Sequence, residues 1–155
     1  VSKIESKNDN VSDCKLNPRS VLGCDSLFEF SGQVFGKPRS TEEAISRWKM
    51  MSSNSGTIHT GHCLIYQEGF TSNLGGDGWK GRIVDVISTK INFSKLSDIE
   101  ILEYVQTKEP MNCAGGFAIE GKGGAFIESI EGCYSNVVGI SLPWLRKALE
   151  KAFSD

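Results

Sequence analysis

The chain has 155 residues, with 17 Lys and Arg against 19 Asp and Glu, a formal net charge of −2 and 39% hydrophobic residues. A chain of this length buries enough surface to form one packed domain without staples or metals, and its near-neutral balance lacks the basic footprint that nucleic acid demands. No apolar run approaches the ~20 residues of a membrane-spanning helix, the first residues do not read as a secretory signal, and there is no internal repeat or low-complexity tract.

Residues 1–19 are polar, mixed in charge and end at the turn signal Asn17-Pro18, so they read as a lead-in to a single domain over 20–155. The apolar run Ser20–Asp25 predicts a short buried strand that ends on its acid. Leu27–Phe30 and Gln33–Phe35 flank Ser31-Gly32 as a hairpin. Ser40 with Glu43 forms a capping-box pattern that opens a helix to about Met51, burying Ala44, Ile45, Trp48 and Met51. Thr57–Gln67 and Trp79–Phe93 are rich in Ile, Val and Thr and read as strands, with the Gly-rich stretch Gly69–Gly78 as a hairpin tip between them. Ser97 and Glu100 open a second helix through about Gln106, with Ile99, Leu102 and Val105 inward. A glycine-rich passage after Pro110 leads to a strand at Ala125–Ile130, a turn at Glu131-Gly132 and a helix over about Leu142–Phe153 with Pro143 in its first turn. Strands, hairpins and helices in this order predict an α/β fold.

Five cysteines at long, irregular spacing, with no C-x-x-C, support neither a disulfide framework nor a zinc site. They read as free thiols of a cytoplasmic protein. His59 and His62 fall in a predicted strand, where odd spacing sends side chains to opposite faces, so they do not form a two-histidine metal site. The glycines fit neither the dinucleotide fingerprint nor a phosphate-binding loop of the G-x-x-x-x-G-K type. Two residues carry candidate chemistry on physical grounds. Asp25, at the expected exit of a core strand, could bind a divalent cation or take a proton from water. Lys37, held between Gly36 and Pro38, offers a point charge to a phosphate.

Six blocks in order make a larger pattern: VLGCDS (Val21–Ser26), GKP (Gly36–Pro38), TGH (Thr60–His62), FSKLSDIEILEYVQTKEP (Phe93–Pro110), AGGFAIEG (Ala114–Gly121) and FIESIEGCYSNVVGISL (Phe126–Leu142). Together they resemble the Maf family, the septum-formation-inhibitor-like nucleotide pyrophosphatases, from about Val21 to the end. The resemblance implies a mixed twisted sheet flanked by helices with a cleft, of ITPase-like architecture. It implies a metal-dependent (Mg²⁺ or Mn²⁺) hydrolase that converts nucleoside triphosphates, pyrimidine or modified, to the monophosphate and pyrophosphate, as a house-cleaning activity. The expected partner is the nucleotide, with neither nucleic acid nor membrane, and a homodimer stays open. By position, Asp25 matches the family's proton acceptor, with the metal beside it, and Lys37 its substrate-contacting lysine. Ser26 and Glu120 match positions linked to base specificity, Glu120 standing where many relatives carry Gln.

The sequence also departs from the family. The opening strand, S-x-S-P-R-R loop and helix have no counterpart here, and Lys3 is the one candidate for a lysine that follows them. Ser94 stands for an Arg, Asn112-Cys113 for Asp-Lys and Gly56 for a His. With Val at position 1, this leads to the expectation of a truncated record, a misassigned start or a decayed copy, with an unpaired sheet edge, exposed apolar surface and little turnover of its own. The alternative function is a catalytically weak nucleotide-binding or division-regulating domain, and a third is thiol chemistry at Cys113 or Cys24.

Overall fold

The computed structural model describes residues 20–67 and 81–153, which form β1 (Ser20–Phe30), β2 (Gln33–Phe35), α1 (Thr41–Met51), β3 (Ser55–Tyr66), β4 (Gly81–Phe93), α2 (Asp98–Gln106), β5 (Ile127–Glu131), α3 (Tyr134–Val138) and α4 (Leu142–Phe153). Short 3-10 turns at Glu109–Asn112, Ala114–Gly116 and Lys122–Phe126 fill the passage between α2 and β5. The strands make one sheet in the order β2-β1-β3-β4-β5, each pairing antiparallel. The lead-in over 1–19, the hairpin tip at Gly69–Gly78 and Trp79 lie outside the described residues.

One face of the sheet carries the core. Phe28, Phe30, Ile58, Ile91 and Phe93 pack under Trp48 and Met51 of α1, Ile101, Tyr104 and Val105 of α2, and Val137 of α3. A second cluster joins Leu64 to Trp144, Ala148 and Ala152 of α4. Among the described residues nothing covers the opposite face, where Val21, Leu27, Val84 and Val86 are each 43–63% exposed. The outer edge of β1 is open as well. β2 reaches only Phe28–Phe30, so Ser20–Leu27 has no strand on that side among the described residues.

Two expectations are corrected here. Ser20–Asp25 is not a separate buried strand; it is the first half of β1, which continues unbroken to Phe30. Side chains alternate across the pleat, so the apolar run is shared between a covered and an uncovered face, and Asp25 lies in mid-strand. In α2 the inward face is Ile101, Tyr104 and Val105, while Ile99 is 70% and Leu102 45% exposed. Both sets have helical spacing. Tyr104 decides the rotation, because its ring lies edge-on to Trp48 and Phe126 and its hydroxyl finds a partner in Glu109.

The helix starts follow local chemistry. Ser97 and Glu100 complete both bonds of a capping box. Ser40 accepts from the Glu43 N–H at 3.2 Å, but the Glu43 carboxylate takes the Arg39 N–H and Arg47 instead of closing the box. Gly56 lets β3 pass close to Phe28: a Cβ there would stand 2.2 Å from Cζ of Phe28, so a side chain at this position needs the Phe28 ring to move.

Candidate functional site

The Gly36-Lys37-Pro38 turn is held from both sides. Arg47 lies over the Phe35 ring and donates to the Gly36 carbonyl at 2.6 Å. Buried Pro38 packs on Gly116, which together with Gly115 has positive φ, and a Cβ on Gly115 would come within 2.7 Å of the Phe28 ring. Trp48 Nε1 donates to the Gly116 carbonyl at 2.9 Å. The AGG block is therefore a packing device that lets two turns meet tightly. Lys37 is exposed at their junction.

Next to that junction lies a cavity of about 290 Å³, at the small end for ligand sites, lined by Ser26, Ile58, Asn112, Cys113, Phe117 and Glu120 among others. Its lining mixes apolar and polar side chains, and none of them is cationic. The loop that carries Glu120 is anchored by Glu109, whose carboxylate accepts from the Tyr104 hydroxyl at 2.7 Å, Gly123 N–H at 2.9 Å and Lys122 N–H at 3.0 Å. Burial alone would raise the Glu109 carboxyl, yet these bonds hold it below the usual carboxylate value. Burial, then the bond to Glu109, push the Tyr104 hydroxyl well up.

Cys113 senses this neighbourhood. Burial raises its thiol, Glu120 and Glu109 raise it further, and Lys37 acts against them. Burial also raises Cys24.

Ser26 Oγ lies 2.8 Å from Thr60 Oγ1, and Thr60, fully buried, donates to the Asn136 carbonyl at 3.2 Å. Asn136 is locked by donating to the Ile87 carbonyl and Thr89 Oγ1. Sequence reasoning missed Thr60, Asn136 and Glu109. Thr60 had a signal, since it belongs to the TGH block; Glu109 and Asn136 act through partners up to 76 residues away. The histidines divide as expected. His62 is buried, donating to the Thr60 carbonyl and accepting from Ser141 N–H, whereas His59 bridges Ser88 and Glu29 on the open face.

Asp25 does not line the cavity. It follows the pleat to the open face, one residue from Ser26 yet on the other side of the sheet. One carboxylate oxygen accepts Ser26 N–H at 2.9 Å, and Asp25 has no ion-pair partner among the described residues. Its neighbours leave room. Gly61 stands opposite, and a Cβ on Gly23 would meet nothing within 4 Å. Among the described residues no group of three metal-ligating side chains forms. A single exposed carboxylate does not fit a resident metal cage, but it fits a cation that arrives on the phosphates of a nucleotide and keeps several waters.

The substituted family positions are absorbed locally: Ser94 donates to Glu128 and Asn112 to the Lys108 carbonyl. No helix among the described residues is long and apolar enough to cross a membrane.

A model of the Maf-like protein family matches residues 2–152, starting earlier than the Val21 expected from the blocks. The chain is 62% identical over 133 residues to a nucleoside triphosphate pyrophosphatase of Prochlorococcus marinus strain SARG, covering 86% of this chain and 64% of that protein. Relatives of the same name from P. marinus strain NATL1A and from Parasynechococcus marenigrum strain WH8102 are 55% and 48% identical, with 63% and 65% of their length covered. The chain thus spans somewhat less than two thirds of these relatives.

Proposed function

The chain belongs to the Maf-like protein family, and from that premise we propose that it is a cytoplasmic hydrolase that splits ribo- or deoxyribonucleoside triphosphates into the monophosphate and pyrophosphate. The observation that carries the reading is one constellation. Glu120 lines the cavity together with Ala114, Lys37 lies exposed on the turn whose Pro38 packs on Gly116, and an ion-pair-free carboxylate, Asp25, stands next to Gly23 and Gly61 on the strands that contribute Ser26 and Ile58 to the cavity. The names of the relatives support the same chemistry.

Asp25 and Ser26 are consecutive on β1, so a nucleobase in the cavity and phosphates facing Asp25 would meet adjacent positions of one strand. Asp25 takes a proton from water as the water oxygen bonds to the α-phosphorus. The bond from that phosphorus to the bridging oxygen breaks, and pyrophosphate leaves with the electron pair. Lys37 offsets charge on the phosphates. Asp25 is the residue that would face a divalent cation brought by the triphosphate, which would supply further charge neutralisation when bound. The homodimer expected from the resemblance belongs to this reading, and the sedimentation mass of the full-length protein tests it.

Hydrolysis in ¹⁸O-labelled water tests the reaction itself. The label should appear in the monophosphate, with unlabelled pyrophosphate released. Release of inorganic phosphate alone, or nucleotide binding without cleavage, contradicts it, the latter favouring the binding-domain alternative.

A further inference from the structure

One wall of the cavity is built without an α-helix or a strand. The stretch 112–120 supplies Asn112, Cys113, Ala114, Phe117, Ala118 and Glu120 to the lining. Its backbone bonds are short steps, such as Gly116 N–H to the Cys113 carbonyl and Gly121 N–H to the Ala118 carbonyl. Such steps shape a turn without fixing where it stands, and side chains do the fixing. Trp48 holds the middle through the Gly116 carbonyl. Glu109 holds both ends. Its carbonyl meets the Cys113 thiol at 3.6 Å, and its carboxylate reaches past Glu120, taking Lys122 N–H on one oxygen and Gly123 N–H on the other. The Tyr104 hydroxyl donates to the same carboxylate and accepts Ala118 N–H at 3.4 Å. Gly121 is bare where the carboxylate passes: a Cβ there would stand 2.6 Å from Glu109 Oε2. Every group that meets the carboxylate donates, and an ionised carboxylate, which only accepts, matches all of them.

We propose that Glu109 is a positioning residue for the nucleotide: its carboxylate closes the segment 109–123 into a clasp, and the closed clasp is the form of the cavity that binds. A compact loop whose ends are tied in this way opens as a unit when the tie is lost. If the clasp is closed only part of the time, apparent affinity falls by that fraction, and a nucleotide that binds the closed form draws it shut. This rests on the pyrophosphatase reading above and adds to it a residue that stands outside the cavity lining.

The test compares the full-length wild type with Glu109→Gln and Gly121→Ala. The first sets an amide N–H among donors; the second pushes the carboxylate aside and leaves its charge in place. Both should raise KM for pyrophosphate release by roughly five- to tenfold with kcat little changed. The Kd values of the α,β-methylene analogues of UTP, CTP, ATP and GTP should rise by the same factor. Hydrogen exchange at the Lys122 and Gly123 amides should slow in the wild type when an analogue binds, and should be faster in both variants without one. Ile91→Val, a change at a fully buried core position of β4, should alter neither affinity nor this exchange. A merely structural Glu109 would behave like Ile91, losing stability with KM unchanged. Should one variant fail to fold, the other decides, and the wild-type exchange measurement needs neither. Unchanged KM and Kd in the variants, or amides whose exchange ignores a bound analogue, overturn the clasp and leave the pyrophosphatase reading standing. Analogue binding with no pyrophosphate from any nucleotide overturns that reading, while Kd and exchange still decide the clasp. No binding of any analogue overturns both.

Discussion

The two faces of the sheet are made by the same strands, and the rest of the chain treats them differently. On the covered face, Phe28, Trp48, Met51, Ile91 and Val105 are fully buried, and even hydroxyls such as Thr60 and Thr89 have assigned partners. On the open face, Val84 and Val86 face outward beside Asp25. The pleat brings these environments within one residue of each other at Asp25 and Ser26. A buried, hydrogen-bonded network and an exposed carboxylate therefore stand one residue apart on the same strand. Neither face alone holds the whole constellation.

That contrast sets a scale for substitutions. The largest effect belongs to Trp48→Ala, which empties a fully buried site and removes the bond to the Gly116 carbonyl. Chemical denaturation should show a loss of about 3–5 kcal/mol. Gly115→Ala should cost about 2–3 kcal/mol, because it combines a left-handed backbone with a side chain driven into Phe28; a loss below about 1 kcal/mol would mean that the turn and the Phe28 ring are free to part. Glu109→Gln should cost about 1–2 kcal/mol at neutral pH through weaker bonds to Lys122 N–H and Gly123 N–H.

The pH dependence has a definite sign. The Glu109 carboxyl is held below its ordinary value, so its stabilisation is present above the unfolded value near ~4.3 and is lost as pH falls through the lowered folded value. Acid titration of stability should therefore be steeper for the wild type than for Glu109→Gln. Glu43, Glu100 and Glu131 are lowered as well, so the variant keeps part of the slope. The smallest effect belongs to the open face. Val86→Thr should change stability by no more than about 0.5 kcal/mol, and a larger loss would show that the full-length protein covers this face.

What was legible in the sequence was local chemistry. Ser97 and Glu100 mark a helix start because both partners lie within one turn, and the odd spacing of His59 and His62 separates them as soon as the segment is read as a strand. The direction of Asp25 was also within reach: a strand continued to Phe30 puts Asp25 and Phe28 on opposite faces by parity alone. Ending the strand at its acid hid this. The face of α2 was not legible, because Ile99 and Ile101 compete at equal helical spacing and only the tertiary partner of Tyr104 breaks the tie. Nor was the cavity, whose lining comes from β1, β3, the 112–120 passage and α3, brought together by packing rather than by any local pattern.

The central claim is that Asp25, on the open face, serves a nucleotide whose base is held on the covered one. Steady-state pyrophosphate release by Asp25→Asn in the full-length protein tests it most directly. The account expects kcat to fall by about 10²–10⁴ with KM little changed. An unchanged kcat would show that the proton goes elsewhere, and would contradict it.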